Sequence, residues 1–173
     1  MTFSLYAATV PTFQQILGAA AGVLAKAEAY CVDEGLAPAE ILGARLAPDM
    51  LPYAYQIRAM KKHSAGAIDA VRTGEFHPDR SPPPESFAEL ADLLATARAE
   101  LDAIDPAEVD GMIGRPTAFV FGELRMEYVA ENFLLSFSQP NFFFHATTAY
   151  DLLRNKGLQI GKRDFMGAVR INR

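Results

Sequence analysis

A chain of 173 residues, half of them hydrophobic, is long enough for one sizeable core and too short for two comfortable domains. Its formal charge is −5 and its basic residues are scattered apart from Lys61-Lys62 and Lys162-Arg163, which argues against nucleic acid as a partner, since phosphate binding needs clustered Lys and Arg. No run of about 18 apolar residues marks a membrane span, no signal-peptide pattern opens the chain, and a single Cys31 allows no internal disulfide, so the cytoplasm is the simplest address.

Residues 12–33 are expected to form the first long helix. Phe13, Ile16, Leu17, Ala20, Leu24, Ala27 and Cys31 fall on one stripe at helical spacing, Thr12 with Gln15 fits a capping box, and Gly35 ends the run. Cys31 belongs to that stripe and reads as core, because no charge partner is in sight to activate its thiol. Pro38 to Leu42 allows one helical turn. Asp49 suits an N-cap, with Pro52 in the first turn of a second helix that runs to Gly74. Tyr53, Ile57, Met60, Ala67 and Val71 make its stripe, while Gln56, Ala59, His63, Gly66 and Ala70 share a smaller, more polar face. Residues 75–85 are an extended connection, because His77-Pro78 and Ser81-Pro82-Pro83-Pro84 cannot be helix interior. At roughly ten residues it can run the length of a bundle.

Ser86-Phe87-Ala88-Glu89 is a capping box that opens the third helix, whose stripe is Phe87, Leu90, Leu94, Ala97, Leu101 and Ile104. Asp105-Pro106 ends it, and residues 106–112 allow a further turn. Residues 117–128 alternate with period two around Gly122, the pattern of a small β-hairpin. Helix resumes at Glu131 and leads into Gln139–Arg154, where Pro140 suits a first turn and Phe143, Ala146, Thr147, Tyr150 and Leu153 repeat at helical spacing up to the Gly157 cap. The expected fold is mainly all-α: one domain over 1–173, a four-helix bundle with a small accessory β-hairpin.

Asn141 and His145 are four residues apart on that last helix and share a face, with Thr148 on the next turn. A polar line on a greasy helix needs partners if buried, so Asn141, His145 and Thr148 are the candidate lining of a small-molecule pocket. His145 suits a metal ligand or general base, since its charge changes near neutral pH; the structural alternative is a buried histidine bonded to a carbonyl. Phe142-Phe143-Phe144 is core or the floor of such a pocket. His77 lies in the linker, and Glu123, Glu127 and Glu131 form no Glu-x-x-His pair. No Gly-rich phosphate loop, Cys pair or nucleophile elbow is present. The Gly161-Lys162-Arg163-Asp164-Phe165 tail closes the pocket, joins a dimer, or is simply pinned by Phe165.

The run from Gln139 to Tyr150, then Leu153-Arg154, Gly157 and Gly161 to Phe165, resembles the C-terminal signature of a bacterial domain-of-unknown-function family within the DinB/YfiT-like superfamily. The resemblance extends over nearly the whole chain. It implies an up-down-down-up four-helix bundle, a homodimer, and a divalent metal held by three histidines, one from the second helix and two from an H-x-x-x-H pair on the fourth. It also implies thiol-dependent transfers or isomerisations. In this sequence the corresponding metal set is His63, Asn141 and His145, with an amide in place of one imidazole; zinc, nickel or manganese are the candidate ions. Three readings follow: a small-molecule-binding bundle, a metal-dependent enzyme of DinB-like type, and a homodimeric structural protein. The first ranks highest.

Overall fold

The first helix starts earlier than the Thr12 capping box predicts. In the computed structural model, which describes residues 3–171, α1 spans Leu5–Glu34. Met1, Thr2, Asn172 and Arg173 of the domain expected over 1–173 lie outside the described residues. Ser4 caps α1: its Oγ accepts from the Ala7 N–H at 3.1 Å, and Asp110 Oδ1 accepts from both the Ser4 hydroxyl and the Tyr6 N–H. Pro11 therefore sits inside the helix, where it removes one backbone bond. The carbonyl left free is that of Ala7, an exposed residue that water can satisfy.

After a single turn, α2 (Pro38–Leu42), the second long helix begins at Tyr53, with Pro52 rather than Asp49 as its N-cap residue. It does not run unbroken to Gly74. α3 (Tyr53–Lys62) stops and α4 (Ala65–Thr73) restarts, with Ser64 between them at φ −118°, ψ −93°. The Ser64 hydroxyl turns back to the Met60 carbonyl at 2.7 Å, the competition with the backbone ladder that serine offers. Gly74 closes α4 at φ +89°. A side chain there is strained, so Gly74→Ala is expected to lower stability by about 1–2 kcal/mol, read as a lower urea midpoint at unchanged slope.

The linker contributes a strand. β1 (Glu75–Phe76) pairs in parallel with β2 (Pro116–Phe121), which pairs antiparallel with β3 (Leu124–Val129) through a turn at Gly122. This third strand carries Phe76, 1% exposed, into the core. α5 (Phe87–Asp102) opens on the expected capping box, Glu89 N–H to Ser86 Oγ and Ser86 N–H to the Glu89 carboxylate, and α6 (Pro106–Asp110) follows.

Beyond β3 the chain is helical without a gap: α7 (Ala130–Asn132), a π-helical segment at Phe133–Ser138, then α8 (Gln139–Asn155). Pro140 thus stands just after a widened turn instead of at a free helix start. The i→i+5 pattern of that turn shifts the backbone bonds out of α register, where a residue without an N–H is accommodated. The tail forms a short helix, α9 (Lys162–Met166). The molecule is mostly helical. α1 packs on α5 and α3 on α8 around one apolar cluster that includes Phe13, Leu17, Ile57, Leu94, Phe142 and Leu152. No described helix is long and apolar enough to cross a membrane.

Candidate functional site

His63 and His145 meet across the α3–α8 interface. Their ring centroids are 5.7 Å apart and their planes 22° from parallel. His63 is the residue after α3, at the break; His145 lies in the middle of α8.

The two irregular stretches of helix produce this meeting. At the break the Ala67 N–H bonds to the Ser64 carbonyl, which leaves the His63 carbonyl without a helical partner. Ser138, fully buried at the end of the π segment, supplies one: its hydroxyl donates to the His63 carbonyl at 3.1 Å. With that hydrogen used, the Ser138 oxygen can only accept from His63 Nδ1, at a long 3.4 Å. His145 is oriented from α3. Gln56, 2% exposed, donates its amide Nε2 to the Leu51 carbonyl at 2.8 Å, so its Oε1 faces His145 Nδ1 at 2.7 Å. Both imidazoles then carry their hydrogen on Nδ1 and a lone pair on Nε2. No protein donor reaches either Nε2 among the described residues.

Aromatic rings surround the pair. Phe76 and Phe137 lie 5.1 and 5.7 Å from His63, and Tyr55 and Phe144 lie 5.9 and 5.4 Å from His145, centroid to centroid. Burial among them pulls the His63 pKa down from 6.5 to about 3, with repulsion from His145 and Lys62 adding to it, and pulls His145 down to about 4. Both are neutral at pH 7.

A recess of about 30 Å³ opens beside His63, lined by Tyr55, Arg58, Ala59, Lys62, Pro78 and Asp79. It shares Tyr55, Arg58, Pro78 and Asp79 with a surface groove of about 440 Å³ that reaches Arg45 and Phe121. The outer wall is the linker, and Arg58 holds it in place. Its guanidinium donates to the carbonyls of Ser81 and Pro82 and to the Ser81 hydroxyl, stands 3.7 Å from the Asp79 carboxylate, and lies 5.0 Å over the Tyr55 ring. The Lys62 ammonium lies 4.7 Å over Phe76, and burial lowers its pKa.

Asn141 turns its amide to its own helix, donating to the Phe137 carbonyl at 2.7 Å and bracing the junction of the π segment with α8. Thr148 is buried at 6% exposure. Of the predicted residues only His63 lines the recess; Asn141, His145 and Thr148 do not, and His145 reaches it only by stacking on His63. His77 is exposed on the linker against Glu75. Glu127 pairs with Arg125, and Glu131 accepts the Gly114 N–H. Cys31 is buried in the core stripe, where burial, then Glu40 and Glu28, push its thiol pKa up. Gln56, Arg58 and Ser138, which orient the site, carry no motif. Only the face shared by Gln56, Ala59 and His63 marks part of it in the sequence.

No group of three or more His, Cys, Asp or Glu converges among the described residues. Two imidazoles and an amide tied to a carbonyl leave a divalent ion one strong ligand short of a three-histidine set, and a carboxamide oxygen is a weak substitute. The donor set does not fit that metal.

Residues 5–166 match a family model described as Domain of unknown function (DUF1993). The crystal structure of a DinB family member protein from Shewanella denitrificans is similar, with a TM-score of 0.81 and 23% identity over 98% of this chain and 95% of that chain. At that identity the likeness is one of fold. No curated protein matches the chain.

Proposed function

Because the chain belongs to the DUF1993 family and has a DinB-like, mostly helical fold, we propose that it is a small-molecule-binding bundle whose polar recognition point is His145 with its neighbour His63. The observation that carries this reading is the neutral, stacked pair, His145 held through Nδ1 by Gln56 and His63 more loosely by Ser138, with two Nε2 lone pairs that no protein donor reaches among the described residues. The ligand is therefore a molecule that brings N–H or O–H donors. Asn141, one turn before His145, and Thr148, one turn after, extend the polar line of α8. One domain, an up-down-down-up order of long helices and a cytoplasmic homodimer belong to the same reading. The extended linker after α4 supports the helix order, and exposed apolar side chains such as Phe121, Leu124 and Phe144 are what a dimer would cover. A divalent-metal enzyme of DinB-like, thiol-dependent type with a degenerate metal site is the runner-up: the two imidazoles are close, but the set lacks a third strong ligand.

The test follows the histidine side-chain signals of tag-free protein by nitrogen-15 NMR while small amides and alcohols are added, each beside its methylated counterpart without a donor. The expected result is a shift of both Nε2 resonances by the donors alone, and binding weakened about tenfold in His145→Phe. No shift from any donor overturns the reading. One equivalent of zinc or nickel retained through purification overturns it in favour of the metal enzyme.

A further inference from the structure

Tyr53, at the start of α3, is 1% exposed and its hydroxyl is buried with no hydrogen-bond partner among the described residues. Buried hydroxyls are rarely left that way, because the lost hydration is not replaced. Tyr53 lines a slot between α1, α3 and α8 with Val23, Ile57, Met60, Ala146 and Ala149. The small alanines on α8, with Ala19 and Ala20 on α1, keep the helices from filling it.

The roof of this slot is α9 and its flanks. Phe165 packs edge-on against Tyr150 at 5.7 Å between centroids. Asp164 pairs with Lys26 at 2.5 Å, and Gln15 donates to the Met166 carbonyl at 2.8 Å. Gly167, at φ +61°, comes so close to Ala19 that an added Cβ would stand 2.9 Å from it. α9 packs closely on α1, and its polar ties lie near the surface; the Lys26 side chain is 54% exposed. With α9 in place the free space is about 20 Å³, room for one water and no more. Anything larger needs its walls to move apart, and Asp164 and Phe165 of α9 are the wall nearest the surface. Among the described residues no basic side chain lines the slot and Lys26 is already paired with Asp164 at its rim, so an anion would be buried there without a partner and is disfavoured.

We infer that this slot is a second binding site, for a small neutral molecule with an apolar body and one carbonyl or ether oxygen that accepts from the Tyr53 hydroxyl, and that α9 is its lid. It shares no lining residue with the recess beside His63, so it stands or falls independently of the histidine pair.

The experiment uses the full chain with methyl NMR signals of Met60, Ala146 and Ala149, titrated with cyclohexanone and, as the anionic counterpart, cyclohexanecarboxylate. Cyclohexanone is expected to shift all three methyls and the carboxylate none. Lys26→Ala, which unlatches the lid, is expected to raise affinity severalfold. Tyr53→Phe, which removes only an unpartnered oxygen, is expected to fold normally and to weaken binding about fivefold or more. The proposal is overturned if cyclohexanone moves none of these methyls in either wild type or Lys26→Ala. It is also overturned if Tyr53→Phe binds as well as wild type, or if a water held by Tyr53 stays in place at saturating ketone.

Discussion

Between pH 7 and pH 5 the protein is expected to lose on the order of 3–4 kcal/mol of stability. The cause is the histidine pair. In the unfolded chain both titrate near 6.5; in the fold, burial holds His63 at about 3 and His145 at about 4. Between those limits the unfolded state binds more protons than the native one, so stability rises with pH through the window. The contribution is fully present above about pH 7 and falls as pH drops below 6.5, by up to about 1.4 kcal/mol per unit for each ring. Carboxylates do not blur this window. Glu75, Asp79, Glu108 and Asp164 have lowered pKa values, so their contributions are lost as pH falls through the ordinary carboxylate range and beyond, beneath the histidine window. Urea unfolding at pH 7, 6 and 5 measures the slope. His63→Phe, which keeps a flat ring among Phe76 and Phe137, is expected to halve it. A slope unchanged in that variant would sink the account of a neutral buried pair.

Arg58→Ala is expected to cost about 2–4 kcal/mol, since hydrogen bonds from a charged donor are each worth more than neutral ones. Arg58 is 7% exposed, a helix residue whose guanidinium is spent on the backbone of residues 81 and 82 and on Asp79. The side chain of Asp79 is 38% exposed and can be rehydrated, which keeps the loss below that of a fully buried pair. The local effect is expected to exceed the global one. Freed from α3, the linker opens, and trypsin cleaves after Arg80 at least ten times faster, because cleavage follows the population of the open segment. Arg58→Lys keeps the charge and loses the fork, so it restores little. Cleavage after Arg80 at the wild-type rate in Arg58→Ala would show that the proline-rich segment holds itself.

Much of the fold is written in periodicity. The stripes of α1 and α5, the Ser86-Glu89 cap and the alternation around Gly122 each reflect local rules that tertiary packing leaves in force. Where tertiary partners compete, the reading slips. Thr12 looks like a cap only until Asp110, far along the chain, secures the helix start at Ser4. The break at Ser64 has no proline to announce it, and the π segment has no composition of its own. For the same reason spacing alone does not bring His63 to His145, and only the family resemblance sets the two together. Spacing groups Gln56, Ala59 and His63 on one face, but it cannot say that α8 packs there. Arg58, one position from the buried Ile57, reads as an ordinary helix cation until the linker folds over it.

The π segment bears on how this chain tolerates insertions and deletions. Each residue of an α-helix advances the next by about 100° around its axis. A π turn holds one residue more than an α turn, so the segment absorbs an extra residue without turning α8 out of phase with α7. Deleting a single residue from 133 to 138 would let ordinary helix close the gap, and His145 would still face Gln56. An added residue has no such reserve: everything downstream would rotate by about 100°, and His145 would leave Gln56 for another face. The widened turn is a store of one residue that the face α8 shows to α3 does not depend on.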